Sequence, residues 1–73
     1  MGKRRVLSGR QVCRILAANG FAEVRRRGSH IAMQKRMAGT TVTVIVPNHK
    51  ELKAGTLASI LRQSRLSPEL FQS

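Results

Sequence analysis

The sequence predicts an α+β fold in which two helices pack on one face of a three-stranded antiparallel sheet. Two segments repeat apolar residues at spacings of three and four, which is typical of amphipathic helices. Between them lie three extended segments separated by short glycine-containing turns, which favours hairpins. The 73 residues suffice for one small domain with a modest core, too small for a large cofactor pocket. We assign residues 7–73 to this domain and residues 1–6 to a basic N-terminal extension.

The first helix is predicted over about residues 9–18. Ser8 and Gln11 stand at the spacing of a capping box, with Ser8 as the N-cap. Apolar residues follow at spacings of three and four, and Asn19-Gly20 is typical of a left-handed helix end. Cys13 lies beside the apolar stripe, so we interpret it as a small residue at the edge of the core.

Three strands are predicted next, over residues 21–26, 30–35 and 41–46. Side chains alternate between the two faces of a strand, so Ile31 and Met33 share the core face whereas His30 lies on the other face. The third strand is β-branched throughout and is the strongest strand prediction in the chain. Pro47 is expected to stop it.

A connection over residues 48–53, with room for a helical turn, precedes a second helix that runs to about Ser64. Ser67-Pro68-Glu69 then predicts a short terminal helical turn, because Ser is a good N-cap and Pro and an acid suit the first turn. The predicted order is therefore α-β-β-β-α plus a short C-terminal helical turn. This is the layout of a double-stranded-RNA-binding-like domain, with both helices on one face of the sheet.

The charge is strongly positive and unevenly distributed. The chain holds 14 Lys and Arg against 3 Asp and Glu, a formal net charge of +11 at pH 7. Residues 1–36 carry a net +9 and residues 37–73 a net +2. This surplus indicates a polyanionic partner: nucleic acid, an anionic membrane surface or an acidic protein. Because the basic residues do not line an amphipathic helix and no apolar run approaches ~18 residues, we expect no membrane partner.

The segment Arg25–His30 combines three arginines, a turn and a histidine. Arginines hold phosphates by charge and by forked hydrogen bonds, and glycine lets a backbone come close to a ligand. Histidine is the residue type best suited to proton transfer at neutral pH, so His30 is the candidate proton-transfer group of this segment. A solvated basic hairpin with an incidental histidine is the alternative interpretation. His49, in the connection, is either a loop residue or a second proton donor or phosphate contact.

Neither a metal site nor a cofactor site is predicted. The three acids are scattered, Cys13 is alone, and the two histidines are nineteen residues apart. No phosphate-binding glycine loop, dinucleotide fingerprint or serine-nucleophile elbow is present. The aromatic residues, Phe21 and Phe71, are expected in the core, so no platform for stacking bases is predicted. A nucleic acid would then be held through phosphate and 2′-OH contacts. A single cysteine and the absence of an apolar leader segment favour a cytoplasmic protein.

Four segments carry a family resemblance. They are Gly20-Phe21, Arg27-Gly28-Ser29-His30, Val46-Pro47-Asn48-His49 and Lys53-Ala54-Gly55-Thr56-Leu57. In this order and spacing they resemble the HicA family of mRNA interferase toxins, the small partners in HicA–HicB toxin–antitoxin modules. The resemblance covers about residues 7–71.

The resemblance implies cleavage of mRNA without the ribosome, a catalytic histidine at the Gly-Ser-His position, here His30, and a HicB-type antitoxin protein that blocks the active site. Bulky or aromatic residues often follow that histidine in the family, whereas Ile31-Ala32-Met33 follow it here. The predicted RNA contacts are Arg25, Arg26, Arg27, Gly28, Ser29, Lys35, Arg36, His49, Lys50 and Lys53. A non-catalytic RNA-binding or ribosome-associated module that uses the same basic surface is the alternative function.

Overall fold

The computed structural model describes residues 6–71 and has the predicted α-β-β-β-α order. The elements are α1 (Gly9–Ala18), β1 (Ala22–Arg27), β2 (His30–Met37), β3 (Thr40–Pro47), α2 (Ala54–Ser64) and a C-terminal 3-10 helix (Pro68–Phe71). Within the described residues, no helix has the length and apolar character needed to cross a membrane. The predicted N-terminal extension, residues 1–6, lies outside the described residues except for Val6.

The three strands form one antiparallel sheet in the order β1-β2-β3. Ile31 is paired with Val46, and Met33 with Val44, so the buried side chains of β2 and β3 lie on one face. Residues of both helices belong to the same core: Val12, Leu16 and Ile60. Both helices therefore cover one face of the sheet, as predicted. We call the opposite, uncovered face the open face.

The start and end of α1 follow the sequence prediction. The Gln11 N–H donates to Ser8 Oγ at 3.1 Å, and the Ser8 N–H donates to Gln11 Oε1 at 2.8 Å, which completes the capping box. Gly20 follows the helix with a φ of 97°, a conformation that glycine adopts without strain. Cys13 is half-buried against the core, and this burial raises the pKa of its thiol.

The strand boundaries differ from the prediction by one or two residues. β1 is shifted by one residue, and β2 continues to Met37 because Met37 pairs with Thr40 across the turn. β3 includes Pro47, which pairs with His30; a proline without an N–H is tolerated there because β3 is an edge strand. The connection over residues 48–53 contains no helical turn.

The N-terminus of α1 lies directly against the segment that follows β3. Gly9 is buried, and a Cβ added there would collide with the carbonyl oxygen of Pro47. The Gly9 N–H donates to the His49 carbonyl oxygen at 2.8 Å, and the Asn48 N–H donates to the Ser29 carbonyl oxygen at 2.6 Å. These two bonds connect α1, the exit of β3 and the turn between β1 and β2.

Candidate functional site

His30 lies at the turn end of the hairpin formed by β1 and β2. The turn consists of Gly28 and Ser29, and Gly28 has a φ of 56° at the first turn position, as a type II′ turn requires. Arg27 and His30 flank the turn as directly opposed residues. Directly opposed residues have Cβ atoms about 4.5–5.5 Å apart, so the guanidinium and the imidazole project side by side. Both residues are exposed on the open face.

The three consecutive arginines do not share one face, because side chains alternate along a strand. Arg26 pairs with the buried Ile31, which places it on the helix side of the sheet. There it forms an ion pair with Glu23 at 3.2 Å, and this hydrogen-bonded contact lowers the pKa of the Glu23 carboxyl. Arg25 and Arg27 lie on the open face with the histidine.

A β-bulge in β1 enlarges the set of residues on the open face. The pairing of β1 with β2 shifts between Glu23 and Arg25, so Val24 is the extra, unpaired residue. Val24 and its neighbour Arg25 both line an open depression of about 470 Å³ on this face. The remaining lining consists of Arg27, His30, Ala32, Gln34, Thr43 and Ile45.

The depression carries positive charge that no acid in its lining offsets. None of its lining residues is Asp or Glu. Of the acids in the chain, Glu23 is paired on the helix side, Glu51 lies in the connection, and Glu69 lies in the terminal 3-10 helix. A concave surface lined by one sign of charge attracts the opposite charge, so this face favours phosphates and carboxylates.

Two of the predicted RNA contacts on β2 lie away from His30. Lys35 lies on the helix side, where its ammonium is 5.9 Å from the centre of the Phe21 ring. Arg36 is on the open face, but it is six residues along the strand from His30, a distance of about 20 Å. The structure thus groups only part of the predicted contacts around the histidine.

The predicted RNA contacts after β3 are exposed, and a backbone hydrogen bond connects their segment to the hairpin turn. His49, Lys50 and Lys53 all lie in the connection to α2. Asn48, the residue before His49, donates to the Ser29 carbonyl oxygen. The connection therefore runs beside the hairpin turn, although none of its residues lines the depression.

The RNA contacts predicted from the sequence do not include the uncharged residues that line the depression. Gln34 Nε2 donates to Thr43 Oγ1 at 3.2 Å, and Val24 and Ile45 are large apolar side chains left exposed. Alternation along β2 already places Gln34 on the same face as His30, which was the available signal. Among residues 6–71, no group of three or more His, Cys, Asp or Glu side chains is placed to hold a metal ion.

The fold and this face define a small α+β protein with an open, basic sheet surface next to a histidine-bearing turn. A family model described as the HicA toxin of bacterial toxin–antitoxin matches residues 9–66. The chain therefore belongs to the HicA toxin family and is a toxin of a toxin–antitoxin system, which implies that it is paired with an antitoxin. This confirms the family resemblance of the sequence. Comparisons with curated proteins and with solved structures found no match.

Proposed function

We propose that this toxin is an endoribonuclease that cleaves mRNA without a metal ion, using His30 as the catalytic base. One observation carries the proposal: His30 is exposed, directly opposite Arg27, in a depression whose lining includes Arg25 and no acid. A proton acceptor beside two guanidinium groups on an accessible face suits a reaction at a phosphodiester. The hydrogen bond that holds the turn beside β3 joins two backbone groups, the Asn48 N–H and the Ser29 carbonyl oxygen. It does not use the His30 imidazole, which is left for chemistry.

The reaction uses a nucleophile that RNA supplies. His30 removes the proton of a 2′-OH, the freed oxygen bonds to the adjacent phosphorus, and the bond to the 5′-oxygen of the next nucleotide breaks. The guanidinium groups of Arg25 and Arg27 stabilise the negative charge on the phosphoryl oxygens during this step. The leaving 5′-oxygen takes a proton from water or from His49, and the products are a 2′,3′-cyclic phosphate and a 5′-OH end.

The decisive experiment incubates the purified protein with mRNA in EDTA. We expect cleavage to persist and the products to end in 2′,3′-cyclic phosphates, since the 2′-OH replaces a metal-bound water as nucleophile. An RNA with 2′-O-methyl groups should be bound and left intact. Cleavage that disappears in EDTA and returns with Mg²⁺ would contradict the proposed mechanism. RNA that is bound but never cleaved would instead support the non-catalytic RNA-binding module.

A further inference from the structure

We infer that the depression on the open face is a nucleobase subsite, in which Gln34, oriented by Thr43, reads one base of an unpaired RNA strand next to the cleaved phosphate. This inference rests on the proposed function of the same face. It assigns a specificity-determining role to Gln34 and Thr43, which the reaction itself does not require.

The centre of the depression has room for a flat ring. Ala32 lies there between two longer side chains, with Arg25 opposite it on β1 and Ile45 opposite it on β3. The bulge adds Val24 to the same surface. Val24 is 53% exposed and Ile45 is 46% exposed, so the core does not account for these apolar side chains. A base seated on Ala32 would cover both of them.

A guanidinium group can replace the aromatic ring that usually stacks on a base in RNA-binding proteins. The two phenylalanines are buried in the core, so neither is available to the open face. Arg25 is exposed, lies directly across from Ala32, and forms no ion pair with a carboxylate among residues 6–71. The face of its guanidinium group can therefore lie on a base in the depression, while the N–H groups in its plane donate to the neighbouring phosphate.

Gln34 supplies the groups that distinguish one base from another. It lies two residues beyond Ala32 on the same face, about 7 Å along β2. Its bond to Thr43 uses one amide hydrogen and fixes the orientation of the amide. The other N–H and the carbonyl oxygen stay available to a ligand, and glutamine uses these two groups to bond the edge of adenine in a bidentate manner.

The position of the subsite fixes which nucleotide it contacts and in what state. Ala32 is halfway between His30 and Gln34, which are about 13 Å apart along the strand. A base on Ala32 thus belongs to a nucleotide that neighbours the phosphate at His30. In an A-form duplex the bases are stacked and paired, so their faces are covered and only their edges are displayed in the shallow minor groove. A base can therefore lie flat on Ala32 only when it is unpaired.

The test compares cleavage of short unpaired RNAs that differ at one position beside the cleavage site. The wild type should prefer one base at that position, and Gln34→Ala should reduce the ratio of kcat/KM between best and worst base by about tenfold or more. Gln34→Glu, which exchanges a donor for an acceptor, should change which base is preferred. Thr43→Val should weaken the preference in the same direction, whereas Thr41→Val, at the far end of the open face, should leave it unchanged.

A binding assay separates this inference from the proposed function. Uncleavable 2′-O-methyl RNAs of each base should bind the wild type with unequal affinities and bind Gln34→Ala with nearly equal affinities. That result without any cleavage would support the subsite and overturn the endoribonuclease. Cleavage with identical base ratios in wild type and a folded Gln34→Ala protein would overturn the subsite alone. The subsite would also be overturned if Gln34→Ala changed only the affinity for the antitoxin.

Discussion

His30 is the residue on which the proposed activity depends, and its environment allows a clean substitution. It is exposed on the open face and is absent from the core, so truncation removes no packing. We expect His30→Ala to reduce RNA cleavage by roughly 100-fold or more, the usual contribution of general acid–base catalysis, with most RNA affinity retained. Circular dichroism should be unchanged. His49→Ala is the comparison variant, because His49 is the other histidine that could move a proton in this reaction. A folded His30→Ala protein that still cleaves well would transfer the catalytic role to His49.

Glycine has a low helix propensity, but close packing requires a glycine at Gly9, the first residue of α1. A Cβ at Gly9 would collide with the backbone oxygen of Pro47, and a backbone atom cannot move aside as a flexible side chain can. We expect Gly9→Ala to destabilise the protein by about 1–3 kcal/mol, as overpacking does. Gly55→Ala is the control in the first turn of α2, where a Cβ meets no atom within 4 Å. It should be neutral or stabilising by up to about 1 kcal/mol.

Urea unfolding of the two glycine variants measures these opposite effects. The midpoint should fall for Gly9→Ala and stay or rise for Gly55→Ala, with an unchanged slope. Equal midpoints for the two variants would show that the contact between Gly9 and Pro47 relaxes without cost. Because Gly9 also donates to His49, the first variant is expected to loosen the segment that holds the hairpin turn.

The β1–β2 hairpin is the element that should carry much of the phosphate binding, and its arginines are not equivalent. Each phosphate neutralised adds roughly 0.7–0.9 to the slope of log affinity against log salt. We expect Arg25→Gln combined with Arg27→Gln to flatten that slope, whereas Arg26→Gln should have a smaller effect because Arg26 is paired with Glu23 on the helix side. Titration of a 2′-O-methyl RNA at several salt concentrations measures it.

An unchanged slope in the Arg25 and Arg27 double variant would contradict this placement of the RNA backbone. Lys50 and Lys53, in the connection to α2, would then be the first described residues to test. The segment Lys3–Arg5, which lies outside the described residues, would be the other. A slope reduced equally by Arg26→Gln would indicate that the RNA reaches around the edge of β1.

The elements themselves were predictable from the sequence because their patterns are local. The capping box fixes the start of α1, and alternating valines identify the core face of β3. The bulge was not predictable, because strict alternation places Val24 on the same face as Arg26. One inserted residue moves the side chains on one side of it to the opposite face of the sheet, and no residue type in the sequence marks the insertion. The resulting depression therefore had to be found in the structure.

At the scale of the whole molecule, the sequence shows an excess of positive charge, and the fold determines on which face of the sheet each basic residue lies. The N-terminal half carries most of the net charge, but Arg26 and Lys35 lie on the helix side of the sheet. The depression joins the remaining hairpin arginines to exposed apolar side chains on β1 and β3. A surface of this mixed character suits both an RNA strand and a protein that mimics one, since carboxylates can replace phosphates at a guanidinium.

Membership of the HicA toxin family implies an antitoxin that binds this chain. We expect a HicB-type protein to bind one toxin chain through an acidic surface that covers His30 or blocks access to it. Complementary charge on Arg25 and Arg27 would speed association, and contact with Val24 and Ile45 would contribute to the lasting affinity. Competition measures this: antitoxin is added to toxin already bound to a 2′-O-methyl RNA, and RNA should be released as antitoxin binds in a 1:1 ratio. Simultaneous binding of both, with no loss of affinity for either, would rule out occlusion and leave a conformational change in the toxin as the mode of inhibition.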